Sequence, residues 1–111
     1  MNQKEISSLE VYALTSMIPK GMVGTYGDIA KALGKEGSSR VIGRILHINP
    51  YAPRVPCHRV VRSNGRVGGF AKGVRSKIEM LEAEGVKVSS GIVVDFTKVR
   101  FRGFSKPLPK I

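Results

Sequence analysis

Two short helices joined through a glycine turn, an Asn-Gly pair set between apolar runs, and a further stretch of helical periodicity after residue 73 predict a mainly α domain with a small β component. The helix pair has the form of a helix-turn-helix. An Asn-Gly hairpin beside it would be a wing, so the expected architecture is winged-helix-like. A chain of 111 residues with 41% hydrophobic content supports one core, burying roughly 65% of the unfolded surface. Residues 1–111 therefore read as a single domain.

Ile6, Leu9, Ala13 and Met17, with Tyr12 and Leu14 beside them, recur at helical spacing until Pro19-Lys20-Gly21 stops the helix. Thr25-Tyr26-Gly27-Asp28 has the form of a capping box, with the Thr25 hydroxyl capping free amides and Asp28 at the third helical position. That helix runs to Leu33. Gly34 to Gly37 turns the chain, and Ser38 caps a third helix carrying Arg40, Val41, Arg44, Ile45 and His47 until Asn49-Pro50 ends it. Val41, Ile45 and Ile48 form its inward stripe, which leaves Arg40, Gly43, Arg44 and His47 on the outer faces. A glycine inside a helix costs about 1 kcal/mol relative to alanine. Close approach of a DNA groove to Gly43 would explain that cost, and so would tight internal packing.

Val60 to Val67 reads as a two-residue hairpin around Asn64-Gly65, and Gly68 to Gly73 as a flexible loop able to shape a pocket or cradle phosphate, or to serve as a plain connection. Val74 to Ala83 reads as a helix with Ile78, Leu81 and Met80 inward, closed by Gly85 as a left-handed cap. Short strands are expected at Val86 to Val88 and Ile92 to Phe96, with a weaker one over Val99 to Phe101. Ser105 to Ile111 reads as a flexible basic tail.

The formal net charge is +11, and its placement matters more than its size. From Gly37 to Ile78 no acidic residue occurs, while Arg40, Arg44, Arg54, Arg59, Arg62, Arg66, Lys72, Arg75 and Lys77 all fall inside that window. A one-sign field attracts polyanions, and phosphate neutralisation by Lys and Arg makes nucleic acid the usual partner. An idle basic surface has the same composition. No apolar run approaches the roughly 18 residues of a membrane span, and the polar start, Met1 to Glu5, lacks a signal peptide's form. The expected location is intracellular: cytoplasmic in a prokaryote, nuclear in a eukaryote. One cysteine and two histidines give none of the paired spacing of a structural zinc site, so neither a metal nor a cofactor is expected.

Inside the basic window, Pro56-Cys57-His58-Arg59-Val60 holds the only cysteine, next to a histidine and between Arg54 and Arg59. A cationic neighbourhood favours the thiolate, the reactive form of a cysteine, and an adjacent imidazole is a base for it. A redox sensor would also use such a thiol.

This run resembles the active-site motif of the O6-alkylguanine-DNA alkyltransferases, also called methylated-DNA-protein-cysteine methyltransferases. The likeness extends through Thr25-Tyr26-Gly27-Asp28-Ile29-Ala30, Arg40-Val41-Ile42-Gly43, Asn49-Pro50 and Glu84-Gly85, in the family's order and spacing, from Gln3 to Val88. It implies a domain that binds duplex DNA containing O6-alkylguanine in the minor groove and flips the damaged base into a pocket. The alkyl group then moves irreversibly to cysteine, one per molecule and without a cofactor. By the same likeness Cys57 is the nucleophile, His58 its base acting through a water, and Glu84 the residue that orients His58. Asn49 would brace the active-site turn, and the Tyr26 phenol would contact guanine N3. Arg40 matches the finger that fills the gap left by the flipped nucleotide, with Thr25, Tyr26, Ser39, Gly43 and Arg44 beside it at the DNA. Pro56, Val60, Gly68, Gly69, Phe70 and Ala71 would form the substrate pocket. Plainer roles exist for three of these: helix stop for Asn49, core tyrosine for Tyr26 and ordinary phosphate contact for Arg40. A monomer is expected, with cooperative binding along DNA left open.

The chain also departs from the family's pattern. Most relatives carry an additional N-terminal domain, whereas this chain begins almost at the DNA-binding domain. Phe70-Ala71-Lys72 stands where many have tyrosine followed by small or hydroxyl residues, and Ala52 is small enough to leave space for larger alkyl groups. Two other readings compete. One is a non-enzymatic alkyltransferase-like protein that flags alkylated DNA, in which the cysteine is typically replaced, often by tryptophan. The other is a winged-helix thiol-sensing regulator, which needs no relay such as Cys57, His58 and Glu84.

Overall fold

The computed structural model describes residues 6–111; Met1 to Glu5, the polar start of the sequence, lie outside the described residues. Helix α1 (Ser8–Thr15) begins at Ser7, whose hydroxyl accepts from the Glu10 amide. Val11 to Thr15 are all buried, Tyr12, Ala13 and Leu14 as expected, and Ile18 continues the burial beyond the helix, whereas Leu9, expected inward, is 62% exposed. Thr15 is the polar member of that buried run. The Thr15 hydroxyl donates to the Val11 carbonyl at 2.8 Å, so it is buried with its polar group satisfied.

Strand β1 (Gly24–Thr25) leads straight into α2 (Tyr26–Ala32), whose first turn is capped by Thr25 Oγ1 accepting from the Asp28 amide at 3.0 Å. The reciprocal half of the expected capping box is missing. The Asp28 carboxylate instead accepts from Arg100, Nε to Oδ2 at 3.0 Å and Nη2 to Oδ1 at 3.1 Å. Helix α2 ends in a Schellman motif, with Gly34 at φ +70° and the amides of Gly34 and Lys35 donating to the carbonyls of Lys31 and Ala30. This is the turn of the helix-turn-helix.

Helix α3 (Ser39–His47) follows without the side-chain cap expected from Ser38, whose backbone lies outside the extended region that a capping serine adopts. Its buried residues are Ile42 and Leu46 rather than Val41, Ile45 and Ile48. Ile45 is half-buried and its carbonyl accepts from the Tyr12 hydroxyl, while Ile48, past the helix end, is 74% exposed. Helices α1 to α3 enclose the larger core, which includes Val11, Leu14, Ile29, Ile42 and Leu46.

A 3-10 turn (Cys57–Arg59) then passes into β2 (Val60–Val61), which runs parallel to β1 with Gly24 opposite Val60. The hairpin expected over 60–67 is thereby corrected, because the partner of β2 is β1. A turn does close there, with the Gly65 amide on the Arg62 carbonyl and the Arg62 amide on the Arg66 carbonyl. Only Gly65 has a positive φ, so the two-residue form with both central residues left-handed is excluded.

Helix α4 (Val74–Ala83) has the predicted limits and ends in a second Schellman motif, with Gly85 at φ +89° and the amides of Gly85 and Val86 on the carbonyls of Glu82 and Leu81. The two-residue hairpin lies beyond it. Strands β3 (Val88–Ser89) and β4 (Ile92–Val93) are antiparallel across Ser90-Gly91, which has φ of 50° and 76°. Ile92 bridges Arg66, joining this hairpin to the Arg62–Arg66 turn. Phe96 opens the one-turn helix α5 (Phe96–Val99) instead of ending a strand, and Arg100 forms a parallel bridge with Val23. Residues 105–111, expected as a flexible basic tail, form no regular element, yet Leu108 and Ile111 pack against the larger core. The architecture is mainly α with a small β component, organised around the helix-turn-helix.

Candidate active site and nucleic-acid interface

After α3 the chain must turn back to present Cys57, and Asn49 organises that return. Its Nδ2 donates to the Val55 carbonyl at 2.8 Å and its Oδ1 accepts from the Tyr51 amide at 2.9 Å, closing the loop from both ends. The Cys57 amide then donates to the Val55 carbonyl at 2.8 Å. The thiol is nearly buried, at 9% exposure, on the wall of a cavity of about 600 Å³. Tyr26 from α2, the α3 residues Ser39, Arg40, Gly43 and Arg44, and Gly69-Phe70-Ala71 from the following loop form much of the rest.

Behind the thiol stands a buried polar cluster. His58 is 3% exposed, and its Nε2 lies 3.1 Å from Glu84 Oε2. The approach is close but off the line of a ring N–H hydrogen bond, and neither ring nitrogen has another protein partner among the described residues. Glu84 is fixed by Arg59, which donates from Nε to Oε1 at 2.9 Å and from Nη2 to Oε2 at 2.7 Å. The remaining Arg59 Nη1 donates to the Ile18 carbonyl at 2.8 Å. Such a two-pronged grip is the strong form of a carboxylate pair. The Schellman end of α4 puts Glu84 at the helix C-cap, facing the 3-10 turn that carries both His58 and Arg59.

Burial lowers the His58 pKa below its ordinary value of 6.5; Glu84 opposes the shift, and the charges of Arg59 and Lys77 add to it. The imidazole is neutral at pH 7 and therefore able to take a proton. Burial alone would raise the Glu84 carboxyl, but the hydrogen bonds from Arg59 and the close approach of His58, with the charges of both, hold it below the usual 4.5. Burial raises the Tyr26 phenol above 10.0, aided by Cys57 and opposed by Arg62. Tyr26 is a proton donor, not an anion, at neutral pH.

Several residues expected at the site lie elsewhere. Thr25, expected at the DNA, is fully buried with its hydroxyl committed to the α2 cap. Pro56 and Val60 are buried and do not line the cavity, and Gly68 adjoins the lining residues Arg62 and Tyr26 without forming part of it. The lining also includes Leu46, His47, Arg62 and Ser63, which sequence reasoning did not place there. Two cations of the basic window are not free surface charges. Arg59 is spent on Glu84, and Lys77 is completely buried. Helical spacing carried the signal for Lys77, since it stands four residues before the inward Leu81.

The other basic side chains of the window, Arg40, Arg44, Arg54, Arg62, Arg66, Lys72 and Arg75, are exposed. Gly43 lies among them on α3. A Cβ added there would meet Tyr26 Cε1 at 3.8 Å, ordinary contact, so internal packing does not demand glycine. Gly43→Ala should therefore stabilise the fold by about 1 kcal/mol and weaken duplex DNA binding. Thermal melting and fluorescence anisotropy test the pair of effects; unchanged affinity would remove Gly43 from the interface. Among the described residues no group of three or more His, Cys, Asp or Glu is placed to hold a metal, and no helix is long and apolar enough to cross a membrane.

Residues 7–86 match the family model described as 6-O-methylguanine DNA methyltransferase, DNA binding domain. The chain is 37% identical over 99 residues to a bifunctional methyltransferase/endonuclease of Picrophilus torridus, covering 89% of this chain and 33% of that protein. It is 45% identical over 80 residues to a methylated-DNA--protein-cysteine methyltransferase of Saccharolobus islandicus, covering 72% of this chain and 51% of the relative. The chain thus spans between a third and a half of the curated relatives it matches. Among solved structures it resembles S. pombe Atl1 in complex with damaged DNA containing O6-carboxymethylguanine, with TM-score 0.72 and 30% identity over 85% of this chain and 93% of that one.

Proposed function

Because this chain belongs to the 6-O-methylguanine DNA methyltransferase DNA-binding-domain family, we propose that it repairs duplex DNA by moving the alkyl group of a flipped O6-alkylguanine irreversibly onto Cys57. The observation that carries the proposal is the nearly buried Cys57 thiol on the wall of a cavity bounded by Arg40, Tyr26 and Phe70, with a neutral imidazole next in sequence. His58 takes the thiol proton through a water, and Glu84, held by Arg59, orients and steadies the resulting imidazolium. The sulfur forms a bond to the alkyl carbon as the carbon–O6 bond breaks, and the bonding pair leaves with guanine. Tyr26 donates a proton to guanine N3 and is reprotonated through solvent as the His58 imidazolium gives up the proton it took from the thiol. In net balance the thiol proton ends on guanine, and the alkyl group on sulfur as a thioether. Each molecule acts once.

Arg40, exposed on the first turn of α3, occupies the gap in the base stack. Flipping costs a few kcal/mol, and a planar guanidinium stacks on bases as a lysine cannot. Affinity for duplex DNA is expected to fall with salt, by roughly 0.9 log units per log unit of salt for each phosphate neutralised.

A second reading, binding of alkylated DNA without transfer, is favoured by the likeness to Atl1 over nearly all of that protein's length. Cys57 weighs against it. Incubating the protein with an O6-methylguanine duplex and weighing it intact separates the two. Transfer requires a single methyl increment that maps to Cys57; tight binding with no increment on folded, reduced protein supports the second reading and sinks the first.

A further inference from the structure

Lys77 has no exposed surface, and the reaction above gives it no task. Its Nζ donates to the carbonyls of Val67 and Gly69, the latter at 3.1 Å, and to the Tyr26 hydroxyl at 3.4 Å. It also stands 5.7 Å from the centre of the Tyr26 ring. Three acceptors match the three N–H donors of an ammonium group. They come from separate parts of the chain, because Tyr26 opens α2 whereas Val67 and Gly69 bracket the loop entering Phe70-Ala71. Tyr26, Gly69 and Phe70 all line the cavity. Methionine would fill comparable space without the desolvation of a charge, so packing alone does not account for a lysine here.

We propose that Lys77 is a positioning residue for alkyl transfer, holding the Tyr26 phenol and the backbone from Val67 to Gly69 so that Tyr26 and Gly69 keep fixed places in the cavity wall. The proposal rests on the alkyl-transfer reading of Cys57. Burial pushes the Lys77 pKa down to about 8, opposed by Cys57 and assisted by Arg62. The titratable and charged groups around it are Tyr26 of α2, Cys57 and His58 of the 3-10 turn, and Arg62 after β2; β3, packed on α4, offers only Val88 and Ser89. A neutral amine has two N–H donors, so above that pH one of the three acceptors loses its partner.

Stability moves the other way. The unfolded chain keeps the lysine proton to about 10.5 while the native state releases it near 8. This titration therefore raises folding stability between those values. Alkaline loss of transfer by this route is not unfolding.

The test measures single-turnover methyl transfer from an O6-methylguanine duplex against pH, for the wild type and Lys77→Met. Affinity for unmodified duplex and amide hydrogen exchange over residues 67–70 are read alongside. Lys77→Met should slow transfer roughly ten- to a hundredfold, abolish the fall in rate above about pH 8, and speed exchange over 67–70. Its duplex affinity should stay within about twofold, since surface cations supply the phosphate contacts. A folded Lys77→Met with wild-type transfer or wild-type exchange overturns the proposal. If the variant does not fold, the wild-type profile decides: a fall in rate above about pH 8 with undiminished melting temperature upholds it, and no such fall overturns it. If the wild type accepts no methyl group, the alkyl-transfer reading fails by itself, and exchange over 67–70 in Lys77→Met still decides the positioning role.

Discussion

Cys57→Ser should reduce methyl acceptance from an O6-methylguanine duplex to background while leaving duplex affinity near that of the wild type. The substitution exchanges sulfur for oxygen at a side chain only 9% exposed, leaving Ser39, Arg40 and Arg44 of α3 untouched. A serine hydroxyl is far harder to ionise than a thiol and is a weak nucleophile without a strong base. His58, buried and neutral, can accept a proton, but nothing else in the cluster drives a hydroxyl to alkoxide. Arg40→Ala supplies the contrast. It keeps the thiol and removes the exposed guanidinium at the cavity, so it should slow transfer through poorer flipping, and more severely than Cys57→Ser weakens binding. Intact mass and anisotropy read both variants. Equal loss of affinity from the two would contradict the assigned roles, and a methyl adduct on Cys57→Ser would place the acceptor elsewhere.

Local signals with one physical cause were legible before any coordinates. Thr25 caps α2, Gly34 falls in the expected turn, Gly85 closes α4 as a left-handed residue, and α4 has its predicted limits because apolar spacing and a glycine stop agree. The misread elements depend on partners remote in sequence. Val60-Val61 looks like half of a hairpin, but its hydrogen bonds go to Gly24-Thr25, and the two-residue turn formed at Ser90-Gly91 instead. The site divides in the same way. Asn49 and His58 lie within eight residues of Cys57, and their arrangement follows the local chain. Lys77 and Arg59 counted as two members of a basic stripe, because composition does not distinguish a solvated cation from one whose carbonyl or carboxylate partner arrives from another element. Helical spacing held the clue for Lys77; for Arg59 the partner, Glu84, stands 25 residues away with Glu79 and Glu82 close by, and no local signal singles it out.

Arg59→Met should destabilise the fold more than any exposed basic substitution, by about 3 kcal/mol, because it strands a mostly buried carboxylate beside a neutral imidazole. Removing the carboxylate as well tests that cause. In Arg59→Met/Glu84→Gln no charge is left unpaired, so much of the stability should return, giving a large coupling in a double-mutant cycle. Transfer should stay slow in the double variant, since His58 then lacks the carboxylate that steadies its protonated form. Acid unfolding adds an independent reading. The Glu84 pKa lies below 4.5 in the native state, so its stabilisation is full above that value and is lost as pH falls through the lowered native pKa. The lowered His58 pKa acts in the same direction, with stability declining as pH falls below 6.5. Arg59→Met should shrink the Glu84 part of this acid limb by allowing its carboxyl to rise, while the His58 part, set first by burial, loses only the contribution of the Arg59 charge. Restored stability together with restored transfer would reduce Glu84 to a structural partner of Arg59. Restored stability without transfer gives the carboxylate its own part in activating Cys57.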